Sequence, residues 1–172
     1  MLHCSRFFPV IVMLMFSVII GSSFAQNPVI SLDGNPQTEG ISPPAASVIP
    51  GETIIVAVTV QNVQNLHSYS VKCKFDSQVV QFIGGAARLS AMAPAFLENR
   101  KGNLAAFLSI PGEGIVEIAA TQAGSDKSKC AAGNGVLGYL TFTAKTKGDP
   151  GIKISEASLV GPDAEKLTAE IN

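Results

Sequence analysis

The sequence predicts an all-β fold, an antiparallel β-sandwich. Three observations carry that reading. Short alternating or apolar stretches recur at close spacing along the chain. Gly, Pro and Asn punctuate them. No convincing amphipathic helix lies between them. Many short strands without helical connections pack as two antiparallel sheets rather than as a βαβ array.

The chain has 172 residues, enough for one domain with a substantial core. Its first segment stands apart. His3 and Arg6 open it, and Phe7 to Ile20 is a continuous apolar run of 14 residues. Ser23 and Ala25 then supply small residues three and one positions before a cleavage point. That is the pattern of a secretory signal peptide, residues 1–25. The run falls short of the roughly 20 residues that cross a bilayer, and a retained anchor is the competing reading. The expected mature chain is 26–172, in an extracellular, periplasmic or cell-surface setting. Loss of Arg6 lowers Lys plus Arg from 12 to 11 against 13 acids, a net charge of −2. There is no basic stripe, so nucleic acid and, once the signal is gone, the membrane are excluded as expected partners.

The elements follow in order. "PVISLDG" is a short strand closed by Asp33-Gly34. "NPQTEGISPPAASVIPG" reads as loop. In "ETIIVAVTVQNV", Ile54, Val56, Val58 and Val60 alternate along one face, while Ile55 and Ala57 make the other partly apolar. "HSYSVKCKFD" alternates more cleanly. Tyr69, Val71, Cys73 and Phe75 point one way, and Ser68, Ser70, Lys72 and Lys74 the other. "VVQFIG" is a further strand. Residues 86–99 could hold a helical turn that Pro94 limits. "NLAAFLSI" and "GIVEIAATQ" flank the turn signal "PGE" and predict a hairpin. "AGSDKSKCAAGNG" reads as loop. In "VLGYLTFTAK", Val136, Leu140 and Phe142 share one face and Leu137, Tyr139, Thr141 and Thr143 the other. "IKISEASLVG" and "PDAEKLTAEIN" close the chain.

Catalysis needs a group that moves protons near neutral pH or attacks an electrophile. The mature chain holds one histidine, His67, beside Ser68. Adjacent strand residues face opposite ways, so these two make no triad. The expectation for His67 is a solvated residue at a strand end. No CxxC, no paired-histidine spacing and no DxDxDG loop occurs. The acids are scattered, mostly at turns. No catalytic residue, metal site or cofactor is expected, and the enzyme reading, a small glycosidase, rests on scattered carboxylates alone. Tryptophan is absent and there are two tyrosines, so no flat sugar-stacking platform is evident. Cys73 and Cys130 remain after the signal. In an oxidising compartment they suggest one disulfide, the alternative being two unpaired thiols with one buried.

The run "IPGETIIVAVTVQNVQNLHSYSVKCKFDSQVVQFIG" resembles the opening of a cohesin domain: a Pro-Gly turn, a strand of alternating Val, "nv.nl", a strand ending in aromatic-Asp (Phe75-Asp76), then "vv.f..g". "GIVEIAATQAG" and "GNGVLGYLTFTAK" resemble the later strands. The likeness spans roughly Pro28 to Val160. It implies a jelly-roll sandwich of about nine strands that binds without catalysis. The implied partner is a dockerin-bearing or other secreted protein in a polysaccharide-degrading assembly. The alternative that kinship of folds suggests is a carbohydrate-binding module, with polysaccharide as ligand. Carried over by position, Ser68, Ser70, Lys72, Lys74 and Glu117 form the partner-binding surface, joined by Leu137, Tyr139 and Thr141 on a strand taken as a neighbour. The same strand order implies that Cys130 comes within reach of Cys73.

Overall fold

The computed structural model describes residues 26–91, 94–124 and 126–172; the expected signal peptide, 1–25, lies outside the described residues. Ten strands form two five-stranded sheets, close to the nine expected. They are β1 (Val29–Asp33), β2 (Thr53–Leu66), β3 (Ser68–Lys74), β4 (Val80–Ala86), β5 (Leu104–Gly112), β6 (Ile115–Gln122), β7 (Ala131–Ala144), β8 (Lys153–Val160), β9 (Lys166–Leu167) and β10 (Glu170–Ile171). The first sheet runs β10-β1-β2-β7-β4 and the second β5-β6-β3-β8-β9. All pairings are antiparallel except β1 with β10. The result is a jelly-roll sandwich.

β2 is long because β-branched residues fill it and pack well on a pleated surface. Val56, Val58, Val60 and Val63 are fully buried. Asn62 and Asn65 adopt positive φ, 58° and 54°, a conformation that short amide side chains tolerate. They sit where the β2–β7 register shifts, between Val60 and Leu66. These bulges carry the strand through "QNVQN" to Leu66. At His67 the chain leaves the first sheet, and β3 enters the second.

Tyr69, Val71 and Cys73 of β3 enter the core, as the alternation requires. Phe142 of β7 sits between Phe75 and Phe82, with ring centroids 5.2 and 5.6 Å away in edge-to-face contact. β5 and β6 form the predicted hairpin. Its two-residue turn is Glu113-Gly114, with Gly114 at φ 65°. The predicted loop before Val136 is shorter than its composition suggests, since β7 already begins at Ala131. Gly135 is required there, because a Cβ would lie 2.3 Å from the Phe96 ring.

Candidate functional site

The two sheets treat their outer faces differently. On the first sheet the outward residues Ser31, Asp33, Ala57 and Thr59 are all buried. The Pro-rich segment after β1 folds back there: the Gly34 amide donates to the Ser42 carbonyl, and the Asp33 carboxylate accepts from the Asn35 and Ser42 amides. On the second sheet the outer face is open.

That open face follows from register. Ser68, Ser70, Lys72 and Lys74 alternate outward from β3, the central strand. Ser70 lies opposite Ala119 of β6 and Ser158 of β8, Lys72 opposite Glu117 and Glu156, and Lys74 opposite Ile115 and Lys153. On β5, Leu108 and Ile110 continue the Ala119 and Glu117 rows. The Ser70 hydroxyl donates to the Glu117 carboxylate at 2.5 Å, and the Lys72 ammonium donates to Glu156 at 2.7 Å. This second contact raises the pKa of Lys72 and lowers that of Glu156, through the hydrogen bond first and charge attraction second. Both groups stand in water, so the pair contributes little to stability. Ser70, Lys72, Glu117, Glu156, Ser158 and Lys166, with the apolar Ala157 and, from β10, Ile171, line a shallow groove of about 590 Å³.

Beside this polar centre lie two aliphatic side chains in solvent, Leu108 at 55% exposure and Ile110 at 51%. Both were passed over as hairpin residues. Their signal was present: counting back from the Glu113-Gly114 turn pairs Ile110 with Glu117 and sets both outward. The "NLAAFLSI" run carries apolar residues on both faces, with Phe107 turned to the core. On the open side of this edge strand the two form an exposed aliphatic pair.

The structure brings Ser68, Ser70, Lys72, Lys74 and Glu117 together on one face and separates the other three residues from them. β7 belongs to the first sheet and neighbours β2 and β4, not β3. Tyr139 and Thr141 therefore face outward on the opposite side of the molecule. Leu137 is a core residue at 1% exposure. The reason is a β-bulge: Val58 pairs with Gly138 and Thr59 with Val136, so Leu137 has no opposite number. One extra residue reverses the alternation, turning Leu137 in and Val136 out. The Tyr139 phenol has its pKa raised, by partial burial and then by the charge of Asp33.

The disulfide is also corrected. Cys73 and Cys130 are both free and buried. Cys130 follows Lys129, whose carbonyl accepts from Gln122, and the Gln122 amide donates to the His67 carbonyl. Cys130 thus sits at the start of β3 and Cys73 near its end, six residues further on. At about 3.3 Å per residue that is roughly 20 Å, beyond the 7 Å or so a bridge spans. His67 is half-buried rather than solvated, and its Nδ1 is buried without a hydrogen-bond partner. Among the described residues no group of three or more His, Cys, Asp or Glu side chains could hold a metal.

A rigid sandwich with one open, mixed polar and aliphatic sheet face is the architecture of a binding module. The Cohesin domain family matches residues 40–172, and the chain belongs to that family. No curated protein matches the chain. Among solved structures, the type I OlpA cohesin–dockerin complex from Clostridium thermocellum superposes at TM-score 0.62 with 17% identity, over 85% of this chain and 94% of that one. A type II cohesin–X-dockerin complex from Acetivibrio cellulolyticus gives 0.64 and 14%, over 85% and 95%. A non-cellulosomal cohesin from the archaeon Archaeoglobus fulgidus gives 0.58 and 13%, over 85% and 86%. These likenesses establish the fold.

Proposed function

We propose that this cohesin domain is a secreted, non-catalytic adaptor that docks a dockerin-bearing protein on the outer face of β5-β6-β3-β8. One observation carries the reading: Leu108 and Ile110 stand exposed beside the hydroxyl, carboxylate and ammonium groups of Ser70, Glu117 and Lys72. Aliphatic anchors bordered by hydrogen-bonding groups supply burial and orientation together. Hydroxyls such as Ser68 and Ser70 donate and accept, so they can meet helix-end carbonyls or a partner hydroxyl. Family membership, and dockerins in complex with the cohesins of the two bacterial structures, support the choice of partner. The apolar leader supports secretion.

The test is calorimetric titration of residues 26–172 with a panel of calcium-loaded dockerin modules, including that of the OlpA complex. Binding should vanish in Leu108→Asp and in Ser70→Asp. A panel without a binder, or a binder indifferent to both changes, sinks the reading.

A further inference from the structure

The open face carries more cations than its one ion pair uses, and two of them meet at one end. Lys72 is paired with Glu156 and Ser70 with Glu117. Lys74 and Lys153 lie directly opposite each other on neighbouring antiparallel strands, and both are exposed. Neither has a carboxylate within 4 Å among the described residues. Opposed side chains on such strands stand about 5 Å apart at Cβ, where like charges are destabilising. Lys74 also feels the Glu156 carboxylate, but that group is already bonded to Lys72. A lysine pair with no ion partner of its own bordering a binding face is complementary to an anion that arrives with the partner.

The register places the pair relative to the aliphatic anchors. Ile110 sits in the row of Glu117, Lys72 and Glu156, and Lys74 and Lys153 sit in the next outward row. With strands about 4.8 Å apart and about 7 Å between rows, Lys74 lies on the order of 12 Å from Ile110 and Lys153 about 16 Å. A helix crossing the strands advances about 1.5 Å per residue. Positions seven and eleven along it return to nearly the same side, at about 10.5 and 16.5 Å.

We infer that this face selects a dockerin helix with an aliphatic side chain over Ile110 and carboxylates about seven and eleven residues further along the same helical side, over Lys74 and Lys153. The inference rests on the docking reading above and adds the partner's chemistry to it. A calcium-loaded dockerin library with randomised helix surfaces, displayed and selected on residues 26–172, tests it. The selected dockerins should be enriched in Asp and Glu at that spacing. They should bind the Lys74→Glu, Lys153→Glu double variant at least tenfold more weakly, and raised salt should weaken their binding to the unaltered chain. The double variant keeps a like-charged pair at two exposed positions, so an unchanged thermal midpoint shows that it is folded. Binders without acidic enrichment, changed less than twofold by the double variant yet abolished by Leu108→Asp, overturn the charge inference and leave the docking reading standing. Binders indifferent to Leu108→Asp as well overturn both.

Discussion

The Tyr69 hydroxyl, on β3 of the second sheet, donates a hydrogen bond across the core to the main-chain carbonyl of Leu137, on β7 of the first. Leu137 is the residue that the β7 bulge leaves without an opposite number. The one phenol in the core thus satisfies a carbonyl at an interrupted stretch of the ladder, and the two sheets gain a polar tie through a largely apolar layer. Tyr69→Phe removes the donor and leaves that carbonyl buried and unpaired. Such losses cost about 1–3 kcal/mol, which lowers the melting midpoint of a domain this size by a few degrees. Differential scanning calorimetry measures it; an unchanged midpoint would mean that the tie contributes nothing.

Tyr69 and Cys73 also make stability fall in alkali. Burial raises the Tyr69 phenol above its ordinary value and pushes the Cys73 thiol up to about 12 from 9.0. Each neutral form is favoured in the folded state. Stability is therefore full below the unfolded values and declines as pH rises, above about 9 for the thiol and above about 10 for the phenol. Denaturant midpoints measured from pH 7 to 11 should drop beyond pH 9. Cys73→Val should flatten the first part of the decline.

Opposite outer faces should separate in mutagenesis. Leu108→Ala and Ser70→Asp weaken partner binding, whereas Tyr139→Ala, on the other sheet, leaves affinity unchanged. Leu108 is exposed, so Leu108→Ala shifts stability by less than about 0.5 kcal/mol. A Tyr139→Ala variant that loses binding would move the docking surface to the first sheet.

Non-reducing mass spectrometry should find two thiols and no bridge. Because Cys73 and Cys130 are at most 1% exposed, alkylation should be slow in the native protein and complete in denaturant without reductant. A linked peptide pair would contradict the separation of the two residues along β3.

Relieving the lysine pair should stabilise the free protein. Lys74→Ala removes a like-charge opposition worth a few tenths of a kcal/mol, and the thermal midpoint should rise slightly at low salt. A fall would show that the aliphatic stem of Lys74, or its attraction to Glu156, outweighs the repulsion.

What was legible in the sequence was local. The alternation of "SYSVKCK" assigned both faces of β3, and the turn in "PGEG" announced the β5–β6 hairpin. What escaped was pairing. Nothing in "GNGVLGYL" signals that one residue is extra, so Leu137 was read with the wrong parity. Gly133, Asn134 and Gly135 read as loop although they belong to β7, because Gly135 answers the nearness of Phe96 and Gly133 takes a positive φ of 96° where the β2–β7 register shifts, neither marking a loop. The disulfide and the placement of Tyr139 failed together, since both assumed that β3 and β7 are neighbours. Leu108 and Ile110 were missed because "NLAAFLSI" is apolar on both faces, and only counting back from the Glu113-Gly114 turn sets them beside the outward row of Glu117.

The parallel pairing of β1 with β10 has a mechanical consequence. Val29 lies beside Glu170 and Ile30 beside Ile171. The Glu170 amide donates to the Pro28 carbonyl and the Asn172 amide to that of Ile30. Tension applied at Gln26 and Asn172 pulls these two strands in opposite directions along their length. Both hydrogen bonds are then loaded in shear and must yield together, whereas an antiparallel pair drawn from the same ends would unzip one bond at a time. β10 lies at the edge of the first sheet and its Ile171 also lines the groove of the open face, so the load path passes directly beside that groove.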